Sequence, residues 1–302
     1  MVHTEAFISY SESTRAILTY LLVVSVVMTS KINPVTLQML NAIAVLGTLI
    51  VNSLANIVRF NGVTTGAVSD RYFNYFTPAG YVFSIWGVIY VLLFVFMVYQ
   101  VRSSQRGAEY LQQIGALYFF GALANIIWLV MFHYSYDNAP LLLLTPIPIV
   151  ALLLILLLTY TRLGIGTKQV SRNERLAVQL PISVYLGWIS VATIANIAST
   201  LSVAADLALI PVIPVDMQWI ATAAMLVVAL VLGFLMAYRR HDFAFGLVFV
   251  WAAVGIGVKQ SAIPIISYTA FGAALIALLV ILLLPFIMKK RFVDFYMGRS
   301  SS

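Results

Sequence analysis

Asn125, Trp128 and Phe132 stand inside the apolar stretch Tyr118–Tyr134. At about 100° per residue the three share one helical face. An amide carries donors and an acceptor that hydrocarbon cannot satisfy, so this face must look into a helix bundle, toward a partner or a ligand. Two other stretches repeat the pattern. Phe83, Trp86 and Tyr90 form one face, and Tyr185, Trp188, Ala192 and Asn196 form another. Aromatic rings offer flat faces for stacking worth roughly 0.5–1.5 kcal/mol per pair, and amides orient polar edges. The chemistry on offer is recognition: three such helices can line one mostly apolar pocket with few polar groups. Each face taken alone also reads as ordinary interhelical packing.

Residues for bond-making chemistry are scarce. All ten acidic residues fall in loops, at helix ends or in tails, so no carboxylate is placed mid-membrane, where proton- or sodium-coupled transporters commonly keep one. His3, His133 and His241 lie far apart with no metal-ligand spacing. Cysteine is absent, which removes disulfides, thiolate metal sites and cysteine nucleophiles. No glycine-rich phosphate loop opens a helix, and no paired carboxylates suggest acid–base work. The expectation is a protein that is not an enzyme, with no catalytic residues, no metal and no obligatory cofactor.

The elements that must position the aromatic faces follow from composition. The chain has 302 residues, 62% hydrophobic and 9% charged, with mean hydropathy +1.01. Soluble domains carry roughly 25% charged residues, so this is a polytopic integral membrane protein in contact with the lipid bilayer. Helical spans of about 20 apolar residues recur, whereas the alternating ten-residue strands of a β-barrel do not. Eight spans are predicted, at 36–58, 79–101, 113–134, 139–161, 176–198, 218–238, 242–259 and 264–288. With eight, both termini and the even-numbered loops share one side. That side holds all of the 17 Lys and Arg residues except Arg59, Arg71 and Lys259. The asymmetry obeys the positive-inside rule and predicts both termini in the cytoplasm, with the plasma membrane as location. It also accounts for the net charge of +7 without nucleic acid as a partner.

Residues 1–34 form an N-terminal extension. The apolar run Ala16–Thr29 is too short to cross a bilayer and reads as an interfacial or packed accessory helix. Two loops are long. Residues 59–78 are rich in turn-forming residues, and 199–217 suits a short amphipathic segment lying against the bundle. Lys259, at the outer end of the seventh span, reads either as a snorkelling lysine or as a docking charge for an anionic ligand group, and Arg71 as a similar charge or a partner of Asp70.

Three motifs resemble the TspO/translocator protein family, the tryptophan-rich sensory proteins. The second span reads Pro78-Ala-Gly-Tyr81-Val-Phe83-Ser-Ile85-Trp86-Gly-Val-Ile-Tyr90, similar to the family's Pro-x-x-Trp…Val-Trp-x-x-Leu-Tyr. The third carries Asn125-x-x-Trp128-x-x-x-Phe132, similar to the family's Leu-Asn-x-x-Trp-x-x-x-Phe-Phe. The fifth carries Tyr185-Leu-Gly-Trp188…Ala192-Thr193…Asn196, similar to Tyr-Leu-x-Trp…Thr-x-x-Asn. The chain departs from the family in having Tyr81 where Trp is usual, and in the longer separation of Pro181 from Trp188.

The resemblance spans about residues 36–200. It implies a TspO-like five-helix bundle over residues 35–200, binding tetrapyrroles such as porphyrin or haem, or sterols and drug-like aromatics. The expected ligand-binding residues are Tyr81, Phe83, Trp86, Tyr90, Asn125, Trp128, Phe132, Tyr185, Trp188 and Asn196. Phe73, Tyr81 and the first long loop would cover the pocket mouth. Residues 201–302 add three spans and a basic tail. Their small residues Gly255, Gly257, Gly272 and Ala273 suit close helix packing. These spans read as a stiffening bundle, as a subunit contact in a homodimer, or as a gate. The expected function is a membrane binding protein and sensor for a hydrophobic small molecule, the alternative a transporter gated by spans six to eight.

Overall fold

Lipid leaves backbone polar groups no partner, so every crossing segment closes its hydrogen bonds within itself. The computed structural model describes residues 32–291 and Tyr296. The helix expected within residues 16–29 and the end of the basic tail lie outside them. Among the described residues the main apolar helices are α1 Pro34–Leu54, α2 Ile85–Gln100, α3 Leu117–Tyr134, α4 Pro146–Arg162, α5 Leu180–Asp206, α6 Val215–Arg240, α7 Phe243–Lys259 and α8 Pro264–Ile287; with their flanking turns seven are long and apolar enough to cross a membrane, and α7 is a shorter apolar helix. The protein is an all-α integral membrane protein. Helix α7 has 17 residues, about 25 Å, and α2, with 16, is lengthened at its start by the 3₁₀ turn Gly80–Ser84.

Several boundaries have local causes. Asn33 caps α1 by accepting the Val35 N–H at 2.8 Å, and Pro34 follows where its missing N–H costs nothing. Gly115, at φ +53°, breaks a short helix Glu109–Ile114 from α3, so the third crossing starts later than its hydropathy suggests. Pro181 cannot donate a backbone hydrogen bond, and the chain just before it widens into a π-turn over Arg175–Gln179. Helix α5 then continues to Asp206, because nothing in its alanine- and serine-rich end breaks a helix. The amphipathic segment expected across 199–217 is therefore corrected. Its first part extends α5, and residues 207–214 form an exposed, non-helical link.

Helices α1, α3, α4, α5 and α2 pack in that order into a closed five-membered ring. Helices α6, α7 and α8 form a mutually packed triangle that joins the ring through α5 and α7. In the stretch containing α5, 72% of the apolar window is buried, against 22–44% for the other long crossings. Helix α5 is thus the shared wall. One continuous hydrophobic cluster runs through ring and triangle, including Trp86, Trp188, Val248, Ala252 and Ala270. Crossings alternate in direction, so Arg102, Lys168, Arg240 and Lys290 gather at one end of the bundle and Arg59, Arg71 and Lys259 at the other.

Close packing around α7 depends on small residues, though not all of those expected serve it. A Cβ on Gly255 would lie 2.1 Å from Val82 Cγ2 and 3.3 Å from Pro78 Cβ. A Cβ on Gly257 would meet the Phe271 ring at 2.9 Å. Gly272, by contrast, would meet nothing within 4 Å, so it does not serve helix contact. The Gly255→Ala protein should lose about 1–3 kcal/mol and melt at lower temperature in detergent. Gly272→Ala, which removes a flexible helix residue without a clash, should be neutral or stabilising by up to about 1 kcal/mol. Paired thermal unfolding curves check both, and an unchanged Gly255→Ala midpoint would refute the tight contact.

Candidate functional site: an aromatic chamber under a clasped lid

Trp86 is the centre of the five-helix ring. Its indole stacks on Tyr90 at 5.8 Å between centroids and on Trp128 at 6.4 Å. It meets Tyr185 and Trp188 edge-on, each at 6.1 Å. Trp128 in turn stacks on Phe132 at 5.2 Å, one helical turn away, and Phe83 meets Trp188 edge-on at 5.8 Å. Three faces that are separate in sequence therefore merge into one cluster, with Trp86, Trp128, Tyr185 and Trp188 all buried. The chamber beside them is lined by Phe83, Trp86, Trp128, Phe132, Trp188 and Asn196, with Ser69, Pro78 and Ser199 at its outer end. Its free volume is about 30 Å³, room for a couple of waters.

The polar groups of the cluster divide into two kinds. Asn196 is committed to structure: its Nδ2 donates to Thr145 Oγ1 at 2.9 Å, tying α5 to the start of α4. Asn125 is half committed. Its Oδ1 accepts from Asn52 Nδ2 at 2.7 Å, whereas its own Nδ2 has no partner. The indole N–H groups of Trp128 and Trp188 and the hydroxyls of Tyr90 and Tyr185 are likewise buried without partners. Buried polar groups are normally satisfied, so this concentration of unused donors stands out.

Tyr81 does not join them. It is 45% exposed, and its ring packs edge-on against Trp251 of α7 at 5.4 Å, outside the chamber. The short 3₁₀ turn Gly80–Ser84 rotates its side chain away from the face that α2 presents, which helical spacing alone does not reveal. Phe73 is also corrected: it is exposed and packs on Tyr75, leaving Pro78 and Phe83 nearest the mouth.

The cover itself is residues 59–78, containing a short helix Thr65–Arg71 that Thr64 caps by accepting the Ala67 N–H at 3.2 Å. It is clasped on several sides. Asn74 Nδ2 donates to Ser199 Oγ of α5 at 2.8 Å, and the Tyr72 hydroxyl donates to the Ser135 carbonyl. Thr65 Oγ1 lies 3.0 Å from His133 Nε2 at the end of α3. Tyr75 meets Trp219 of α6 edge-on, and Asp70 pairs with Lys259 of α7. Lys259 is thus neither a snorkelling residue nor a free docking charge. Asp70 pairs with it, not with Arg71. Trp251 Nε1 also donates to the Val82 carbonyl at 3.0 Å, and the Ala79 N–H to Gly255 O at 3.0 Å. The helices beyond residue 200 carry much of the cover's support.

One set of buried polar residues has no counterpart in the sequence motifs. Gln38, Asn41, Thr48 and Asn52 share the inner face of α1. Their spacing at three, seven and four residues is a helical signal, visible once α1 is read for polar instead of aromatic periodicity. Gln38 and Gln100 exchange side chain-to-carbonyl bonds at the basic end, and Asn52 donates to Asn125, one turn before Trp128 on α3. Asn125→Leu should destabilise the protein by leaving Asn52 Nδ2 without that partner, and Asn52→Leu should do likewise. The double variant should recover part of the loss, with a coupling of about 0.6–1.7 kcal/mol. A double-mutant cycle by equilibrium unfolding measures it, and strictly additive losses would contradict the pairing.

Among comparisons with known proteins, neither the curated proteins nor the solved structures give a match. A family model described as TSPO-like protein matches residues 38–283, which takes in all five ring helices and continues through α6 and α7 into α8. The match covers well over half of the chain, and with the helical ring and its tryptophan-centred chamber it places this protein in the TSPO-like family.

Proposed function

We propose that the protein is a membrane-embedded binding protein and sensor for a flat hydrophobic small molecule, with tetrapyrroles such as porphyrin or haem as the leading class and sterols or other aromatics as alternatives. The observation that carries this reading is the convergence of Trp86, Trp128 and Trp188 beside unpartnered indole, phenol and amide groups in a bilayer-embedded chamber. A conjugated ring would replace the stacking that the indoles make with one another, and its polar edge would meet the Trp128 and Trp188 N–H groups and Asn125 Nδ2. The role is recognition and not catalysis. On the positive-inside rule the basic end faces the cytoplasm and the clasped cover faces away from it.

The chamber's small volume gives the reading a mechanism. Ligand sites for molecules of this size occupy about 300–1,000 Å³, so binding requires the ring stack to part and the cover to lift. The ligand would then favour an opened arrangement over the closed one, and the difference in affinity sets how far the population shifts. Because α6 and α7 hold the cover through Trp219 and Lys259, occupancy would be transmitted to the outer helices. A second reading, carriage of the ligand across the bilayer, is favoured by the polar face of α1, which runs from the chamber to the basic end.

Protoporphyrin titrated into purified protein should quench tryptophan fluorescence and shift the porphyrin absorption band. Trp128→Ala combined with Trp188→Ala should weaken both effects by roughly tenfold or more. Equal binding by the double variant would remove the assignment. Asn74→Ala, which cuts a clasp of the cover without touching the stack, should raise both association and dissociation rates in stopped-flow mixing. Unchanged rates would mean that access does not pass beneath residues 59–78. Flux of labelled porphyrin into proteoliposomes separates carriage from sensing.

A further inference from the structure

On the outer surface of the bundle, away from the chamber, α2, α5 and α7 frame a groove of about 460 Å³. Its walls are almost wholly apolar, with Val88, Leu247 and Trp251 partly exposed on the membrane-facing side. Along α7 it runs from Phe243 at the basic end to Trp251, eight residues or about 12 Å. The hydrocarbon core is about 30 Å thick, so this length matches most of one leaflet.

At its basic end the groove adjoins a second recess of about 40 Å³, and the two share Leu180, Phe243 and Ala244 as lining. Polar and charged side chains enter the lining here. Arg175 and Arg240 line it, and so does Gln179, 3% exposed with its Nε2 donor unpartnered. Arg175 spends one guanidinium N–H on the Tyr296 carbonyl at 2.8 Å, but its Nε is buried without a partner. The one carboxylate among the described lining residues, Asp242, is already engaged by the Tyr160 hydroxyl at 2.9 Å and by the Phe245 N–H at 3.2 Å. Burial, together with Lys290 and Arg175 close by, holds the His241 imidazole below its usual value, a further sign of a positive local field.

We infer that the groove and the recess together form a site for an anionic phospholipid of the basic-side leaflet, its phosphate held by Arg175, Arg240 and Gln179 and one acyl chain lying along α7. An apolar slot of leaflet length, ending at interfacial arginines and an idle buried donor, has the division of chemistry that such a lipid carries. The site is separate from the tryptophan chamber and does not depend on the ligand proposed for it. A lipid bound there touches α5, the wall between ring and triangle, and so stabilises the junction of the two.

The test uses the full chain purified in detergent and stripped of lipid. Dioleoyl phosphatidylglycerol should raise the unfolding midpoint and bind, by native mass spectrometry, at least about tenfold more tightly than dioleoyl phosphatidylcholine. Inorganic phosphate and dihexanoyl phosphatidylglycerol should both be much weaker, because each lacks the long chain. Arg175→Gln with Arg240→Gln should abolish the headgroup preference, whereas Arg175→Lys with Arg240→Lys should retain most of it. Leu247→Trp, which fills the slot, should reduce binding of both long-chain lipids. Circular dichroism and porphyrin quenching of each variant report whether the fold and the chamber are intact. Equal affinity for the two headgroups, a preference surviving the double glutamine change in folded protein, or phosphate binding as tightly as the lipid would each overturn the proposal.

Discussion

Hydrocarbon provides no hydrogen-bond partner, and the arrangement of this protein is largely an answer to that fact. Asparagine, glutamine, tyrosine and tryptophan recur within its spans, and each must turn inward or toward an interface. The inward faces of α1, α2, α3 and α5 can be satisfied together only if the helices close into a ring. Within it Asn52 meets Asn125, Gln38 meets Gln100 and Asn196 meets Thr145. The idle donors of Tyr90, Asn125, Trp128, Tyr185 and Trp188 collect around Trp86. A soluble protein would let water satisfy such groups. Here they remain unpartnered within the bundle.

The position of α5 follows from the same constraint. It contributes Tyr185, Trp188 and Asn196 to the ring on one side and packs against α7 on the other, where Gly187 admits Val248 closely. A helix buried on both sides cannot move without disturbing both bundles. Ring and triangle therefore act as a single packed body, and a change inside the chamber has a mechanical route to the outer helices. The cover strengthens that route, because its clasps reach α3, α5, α6 and α7 at once. Isolated exposed ion pairs such as Asp70–Lys259 are worth about 0–1 kcal/mol each, so the cover is held by the sum of many contacts and not by that pair.

Two cavities differ in their chemistry. The interior chamber is lined mainly by aromatic rings; the groove between α2 and α7 is apolar, lies on the outer surface and is bounded by charge at its basic end. Both use residues of α5, and both arise where short elements interrupt regular helices, at the 3₁₀ turn Gly80–Ser84 and the π-turn Arg175–Gln179. Such interruptions re-aim side chains. That is why Tyr81 lies on Trp251 while Phe83, two residues on, points at Trp188.

What could be read without coordinates was whatever depends on local period and on charge. Apolar length set the eight crossings, the Lys and Arg distribution set their alternation, and helical spacing placed Trp86, Trp128, Tyr185 and Trp188 on inward faces. Each of these follows from the 3.6-residue turn and the cost of burying charge, which act along the chain itself. Only the tertiary structure determined which inward faces meet, that Asn125 is partnered by Asn52 and Asn196 by Thr145, that Tyr81 and Phe73 stand outside the chamber, and that Lys259 clasps the cover. These depend on contacts between residues tens to nearly two hundred positions apart, and no spacing within one helix encodes the rotation of its neighbour.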